Sequence, residues 1–248
     1  MTPINTSVLV FLLCLAMPGC DSKSQKQQAV DDAVVAEFSE FSEQNKQRMS
    51  EQIESEDGYF SDTTGSLGEL AEMMDSASEK VSPELAAQLK AQALIMKEFE
   101  GLMKPYLELN NQFYELGGID AATLGSIEDI GSRISVIQKL AIMNDQIDVR
   151  FAELFMQITG ADTPDGQRQL AMAKEIRQAD RDAYPHMMKS LQIVRKYWET
   201  SGNADDGLFY FGNDVPAEEI ELYNQHLRAV EEIGQRQLDI QRKYYNGP

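Results

Sequence analysis

From residue 82 onward the apolar positions recur every three or four residues. Leu85, Leu89, Met96, Phe99, Met103, Tyr106 and Phe113 form one stripe, the spacing of a single helix face. Ser82 before Pro83 reads as the start, since serine caps a helix and proline at its first position gives up no hydrogen bond. Gly117-Gly118 reads as the stop, and Pro105 is expected to kink the helix, because the stripe continues on both sides. A second stripe runs through Ile127, Ile130, Ile134, Ile137, Leu140, Ile147, Phe151, Leu154, Phe155 and Ile158, capped by Ser126-Ile127-Glu128-Asp129 and closed by Gly160. Thr163-Pro164 opens a third, with Leu170, Ala173, Ile176, Met187, Leu191, Val194 and Trp198 on its face and Pro185 as an expected kink. Pro216 opens a fourth, with Ile220, Tyr223, Leu227, Val230, Leu238 and Tyr244. Four long helices with short connections predict an all-α fold, an antiparallel up-and-down bundle.

The rest of the pattern is weaker. Val30, Val34, Phe38 and Phe41 predict a helix over about 25–55, and Asp57-Gly58, Ser61-Asp62 and Thr63-Thr64-Gly65 then punctuate a loop. Ser66-Leu67-Gly68-Glu69 has the form of a capping box and predicts a short helix to about Lys80. Residues 207–212 are the only non-helical apolar run, a short extended aromatic segment between glycines. With Tyr197-Trp198, these aromatics are expected to cap the end of the bundle, and a partner-facing patch is the alternative.

The first twenty residues differ from everything after them. Val8 to Met17 is apolar, and no Lys, Arg, Asp or Glu occurs before Asp21. That run is too short to span a membrane as a helix and has the dimensions of a secretory signal. Leu15-Ala16-Met17-Pro18-Gly19-Cys20 resembles the lipobox of bacterial lipoproteins, with Met17 in place of the usual Leu and Pro18 in place of a small residue. The resemblance implies cleavage between Gly19 and Cys20 and lipidation of Cys20, leaving Cys20 as the membrane anchor. Several acyl chains on one residue hold a protein firmly where a single chain does not. The domain reading is then 1–19 signal peptide, 20–65 lipid-anchored acidic helix and linker, and 66–248 helical bundle. Asp21 resembles the inner-membrane retention signal of enterobacterial lipoproteins; the outer membrane is the alternative. From Trp198 to Leu227 the chain also resembles helical periplasmic lipoproteins of unknown function, a likeness that brings no active site with it.

Composition narrows the chemistry. The chain has two cysteines, Cys14 and Cys20; with one in the signal and one carrying lipid, no disulfide, thiolate metal site or cysteine nucleophile is expected. The net charge of −19 repels phosphate backbones and anionic headgroups, so no nucleic-acid partner is expected and lipid makes the membrane contact. A di-iron bundle site needs Glu-x-x-His motifs, but Ala183 and Tyr223 stand three residues before His186 and His226, the only two histidines. No calcium-loop spacing, phosphate loop or nucleophile elbow occurs. No catalytic residue, cofactor or metal is therefore expected.

One interruption of the best stripe remains. Asn144, Asp145 and Asp148 break the apolar face, with Arg133 and Arg150 nearby in sequence. A ligand site at Asn144 and Asp148 and a polar layer that fixes helix register are the two readings. Glu37, Glu40, Glu43, Glu51, Glu54 and Glu56 read as a solvated face, with cation binding as the alternative. The functional expectation is a membrane-anchored envelope module that binds a protein partner or supports an assembly. The alternative is a small-molecule or cation sensor.

Overall fold

The computed structural model of the chain describes residues 25–54, 63–158, 161–203 and 208–245. Cys20 and Gly19, the signal segment, the linker punctuation before Thr63, Gly160 and Gly207 lie outside the described residues. The fold is an all-α helical bundle. Its helices are α1 (Gln25–Glu54), α2 (Thr63–Ser78), α3 (Pro83–Glu115), α4 (Ile127–Phe155), α5 (Pro164–Lys196) and α6 (Ala217–Tyr245). Two short 3₁₀ turns sit at Ala121–Thr123 and Trp198–Thr200. The extended aromatic segment forms a two-residue antiparallel ladder, β1 (Gly202–Asn203) against β2 (Phe209–Tyr210). Among the described residues no helix is long and apolar enough to cross a membrane.

The chain forms two compact units, and each of α3 to α6 contributes residues to both. Among the described residues, unit 1 comprises Pro105–Gln146 and Ile176–Asp239. Unit 2 comprises the described parts of Thr6–Lys104, Ile147–Glu175 and Ile240–Pro248.

In unit 2, α3 and α4 run antiparallel. Gln92 donates to the carbonyl of Gln157, Arg150 pairs with Glu98, and the Phe99 and Phe151 rings meet edge-on at 5.2 Å, so partner numbers fall along α4 as they rise along α3. Fully burying such a ring contributes about 2 kcal/mol or more, whereas the exposed Arg150–Glu98 pair is screened by solvent. Apolar packing therefore holds this seam. In unit 1, α5 and α6 are antiparallel by the same criterion, through Asp180–Gln237, Asp182–Arg236, His186–His226 and Lys196–Glu219.

Local chemistry sets the helix starts. Thr163 Oγ1 accepts from the Gly166 amide at 3.1 Å at the head of α5, and Ser126 Oγ accepts from the Asp129 amide at 3.2 Å at the head of α4. Asp129 reaches back to the Gly125 amide at 2.9 Å, so Ser126 and Asp129 together occupy orphan donors of that terminus.

Three expectations need correction. α2 begins at Thr63, not Ser66: amides in a first turn need no partner inside the helix, so Gly65 is tolerated there. α4 ends at Phe155, and residues 156–158 continue as tight turns. On α1 the buried face is rotated from the apolar pattern. Val34 and Phe38 are buried as expected, but Val30 is 36% exposed while Asp31 is fully buried. Asp31 accepts from the Ser82 amide at 2.9 Å and from Gln27 at 3.1 Å. That bond occupies a donor at the head of α3, which outweighs burying a valine edge.

Candidate functional site

The site is a groove in unit 1, built around the sharp end of α3. Gly117 and Gly118 have positive φ, +91° and +60°. The Gly118 amide bonds the Phe113 carbonyl at 2.9 Å and the Gly117 amide bonds the Tyr114 carbonyl at 2.8 Å. This is the Schellman pattern, which needs a residue free to adopt the left-handed conformation. The chain then drops into the Ala121–Thr123 turn, where the Asp120 carboxylate accepts from the Ala122 amide at 2.9 Å.

Arg133 on α4 holds that corner. Its side chain is 2% exposed. Nη1 donates to the carbonyls of Gly118 (3.1 Å) and Asp120 (2.9 Å), and Nη2 donates to the carbonyl and hydroxyl of Thr123 (3.1 and 2.9 Å). The Thr123 hydroxyl passes its own proton to the Asp120 carbonyl at 2.8 Å. Burial lowers the Arg133 pKa from its usual value, opposed by the carboxylates of Asp129 and Asp120; guanidinium stays charged even so. One side chain thus bonds three carbonyls of the corner, beside the 3₁₀ turn's own bond from the Thr123 amide to the Asp120 carbonyl.

Against this corner lies a cavity of about 760 Å³. Phe113, Tyr114, Ile119, Met187, Leu227 and Val230 supply apolar wall, while Asp120, Thr123, Asn224, Arg228 and Glu231 bring polar groups to it. The volume falls within the roughly 300–1,000 Å³ of small-molecule sites, which likewise combine apolar walls with a few polar groups. Arg228 is paired with Glu221 at 2.6 Å. Beside Asp120, burial and that carboxylate push the Tyr223 hydroxyl up to about 12, so it remains a neutral donor. Phe211 packs edge-on to Tyr223 at 5.1 Å and to Phe209 at 5.2 Å. Through Phe211 this aromatic segment reaches Tyr223 near the start of α6, while Tyr210 remains 49% exposed.

A second polar cluster lies sealed within unit 1. Tyr106 donates to Asp180 Oδ2 at 3.3 Å and receives the Tyr184 hydroxyl at 2.6 Å; Gln237 donates to Asp180 Oδ1 at 2.7 Å. Burial, opposed by the Arg177 guanidinium and these hydrogen bonds, pushes the Asp180 carboxyl up to about 6. Burial and the Asp180 charge also raise Tyr184 well above its ordinary value. Such a carboxyl suits proton transfer, but Asp180 and Gln237 have no exposed surface, so no substrate reaches them here. The cluster ties α3, α5 and α6 together through these buried hydrogen bonds.

Asn144 joins the edge of this cluster. It is fully buried, accepts from Arg177 Nη1 at 2.9 Å and donates to the Arg177 carbonyl at 3.1 Å. Its neighbour Asp145 is exposed and pairs with Arg181 at 3.2 Å. Asp148 is half-buried and belongs to unit 2. Arg150, also in unit 2, pairs with Glu98 and Glu153. Glu37, Glu40 and Glu43 lie on the exposed side of α1. Among the described residues no three His, Cys, Asp or Glu side chains converge as metal ligands.

Periodicity pointed to the walls of the groove but not to the groove itself. The sequence marks Arg133 only as a neighbour of the Asn144 interruption and does not single out Asp180. The single available signal was Gly117-Gly118, a helix stop next to a buried-face arginine one helix later. Compared with protein-family models, curated proteins and solved structures, the chain matches none.

Proposed function

We propose that the chain is a bacterial envelope lipoprotein, tethered through Cys20, whose unit 1 groove is a non-catalytic binding site. The observation that carries the binding role is the groove: apolar walls, converging polar groups and a rim held by the Arg133 clamp. Such a rim is preorganised, so little loop ordering opposes a ligand. The anchor rests on the Leu15–Cys20 pattern, and the net charge of −19 makes lipid, not electrostatics, the membrane contact. Cys20 lies five residues before Gln25, the first residue of α1. At about 3.6 Å per extended residue, α1 then starts within roughly 18 Å of the lipid attachment.

The partner in this reading is an envelope protein that inserts an amphipathic segment into the groove. A second reading, a small amphipathic molecule, is favoured by the cavity volume. The two differ in the mass of the occupant. The tether is tested by intact mass and membrane fractionation of the native protein beside Cys20→Ala. An acyl mass increment that disappears in the variant, together with its release from membranes, is expected. An unmodified, soluble wild-type protein would remove the anchor and leave a diffusible binding protein.

A further inference from the structure

The chain has two histidines in 248 residues, and they bond each other. Nδ1 of His186 on α5 stands 2.9 Å from Nδ1 of His226 on α6, and the ring centres lie 5.1 Å apart. The two nitrogens therefore lie between the ring centres, nearly head-on, as in a hydrogen bond with a single proton on its axis. A neutral imidazole carries one N–H. One ring must then be the Nδ1–H tautomer and donate, while the other keeps its proton on Nε2 and accepts.

Proton count decides what this bond tolerates. A first added proton enters on the free Nε2 of the donor ring, and the bond persists as a charge-assisted one. A second must go to Nδ1 of the acceptor, the atom the bond already occupies. Two N–H groups would then point at each other across 2.9 Å, each on a cationic ring, and the rings must part. His226 is 8% exposed and His186 half-buried, so solvent screens that repulsion only in part. Burial first, then His186 and the Lys189 ammonium, hold the His226 pKa below the usual 6.5. Other charges along the seam are engaged elsewhere: Arg228 with Glu221, Arg236 with Asp182, Lys196 with Glu219, and Asp120 beside Tyr223.

Position gives the bond its consequence. Between Glu219 and Arg236 of α6 it is the one polar contact to α5 among the described residues. Met187 and Leu227, the residues that follow the two histidines, line the groove, as do Asn224 and Arg228 on either side of His226. We propose that the His186–His226 bond is an acid-sensitive latch on the groove, and that its separation by a second proton releases the occupant; this rests on reading the groove as a binding site. Above the second step α5 and α6 are joined beside the groove, which keeps its shape. As pH falls through the lowered His226 pKa that support is lost.

The test uses the tag-free full chain carrying Cys20→Ala, so that no acyl chain competes for the groove probe, the neutral fluorophore N-phenylnaphthylamine. Two-bond proton–nitrogen spectra report the tautomer and charge of each histidine between about pH 7.5 and about pH 4.5, the range in which histidines titrate. One Nδ1–H ring and one Nε2–H ring are expected at the upper end, followed by two separate titration steps. Dye should leave with the second step, its affinity falling by up to about tenfold per pH unit below it. His186→Gln combined with His226→Gln keeps Asp180 and every other titrating group, and should hold dye evenly across the range. Two Nε2–H rings at the upper end, dye loss that follows the first step, or the same dye loss in the double variant would each overturn the latch. The wild-type spectra decide even if that variant fails to fold. Failure of the groove reading looks different, because no dye is then bound at any pH. The latch is in that case judged by amide protection across residues 224–231, which should fall at the second step in wild type; protection unchanged through that step would overturn it.

Discussion

Asp180 shows how a buried carboxyl links unit 1 to pH. Its folded pKa of about 6 lies above the ordinary 3.8, so the folded state holds this proton more tightly than the unfolded chain. The stabilisation is complete below the unfolded pKa and is lost as pH rises through about 6. Two pKa units correspond to about 3 kcal/mol. His226 works the other way: its pKa is held below 6.5, so its contribution is complete above that value and is lost as pH falls through the lowered one. Asp180→Asn should abolish the Asp180 share alone. Urea denaturation at pH 4 and pH 7 should show wild type losing roughly 2 kcal/mol relative to the variant over that interval. Parallel curves would mean the carboxyl is not buried as described. Arg177, Arg181, Tyr106, Tyr184 and Gln237 face Asp180.

At the scale of elements, the end of α3 governs the groove. A Cβ on Gly117 would collide with the Thr123 hydroxyl and crowd Arg133 Nη2 at 3.0 Å, and the φ of +91° is unfavourable for any side chain. Gly117→Ala should therefore cost about 2 kcal/mol or more, combining the left-handed penalty with a displaced clamp. Thermal denaturation measures the loss, and hydrogen exchange at the Ala122 and Leu124 amides locates it. A variant as stable as wild type would mean the corner can relax. This corner was half legible in sequence. Gly117-Gly118, Ser126 and Thr163 act on neighbours within five residues, so the chain itself announces the ends they set. Asp31, Arg133, Asp180 and Gln237 find their partners on other elements, and a polar residue carries no mark of a distant donor. The same limit applied to His186 and His226: each failed a motif test along its own helix, while what places them together is the antiparallel register of α5 and α6. Stripes were readable because burial repeats with the helix; on α6 even the stripe misled, since Gln237 is fully buried while Leu238 is only half-buried.

At the scale of the whole molecule, a net charge of −19 and the lipid proposed on Cys20 would together make a module held at a membrane without adhering to its headgroups. Binding then falls to a surface with apolar depth, and the groove of unit 1 has it. The most direct measurement is photo-crosslinking in living cells from a reactive residue replacing Tyr114 at the groove. The control replaces Ile142, which is 59% exposed in the same unit. The account predicts a defined adduct from position 114, absent from position 142 and lost when Asn224→Trp fills the groove. The adduct's mass separates a protein partner from a small molecule. No adduct at position 114, or one that also forms at 142 and survives Asn224→Trp, would contradict the groove as the binding site.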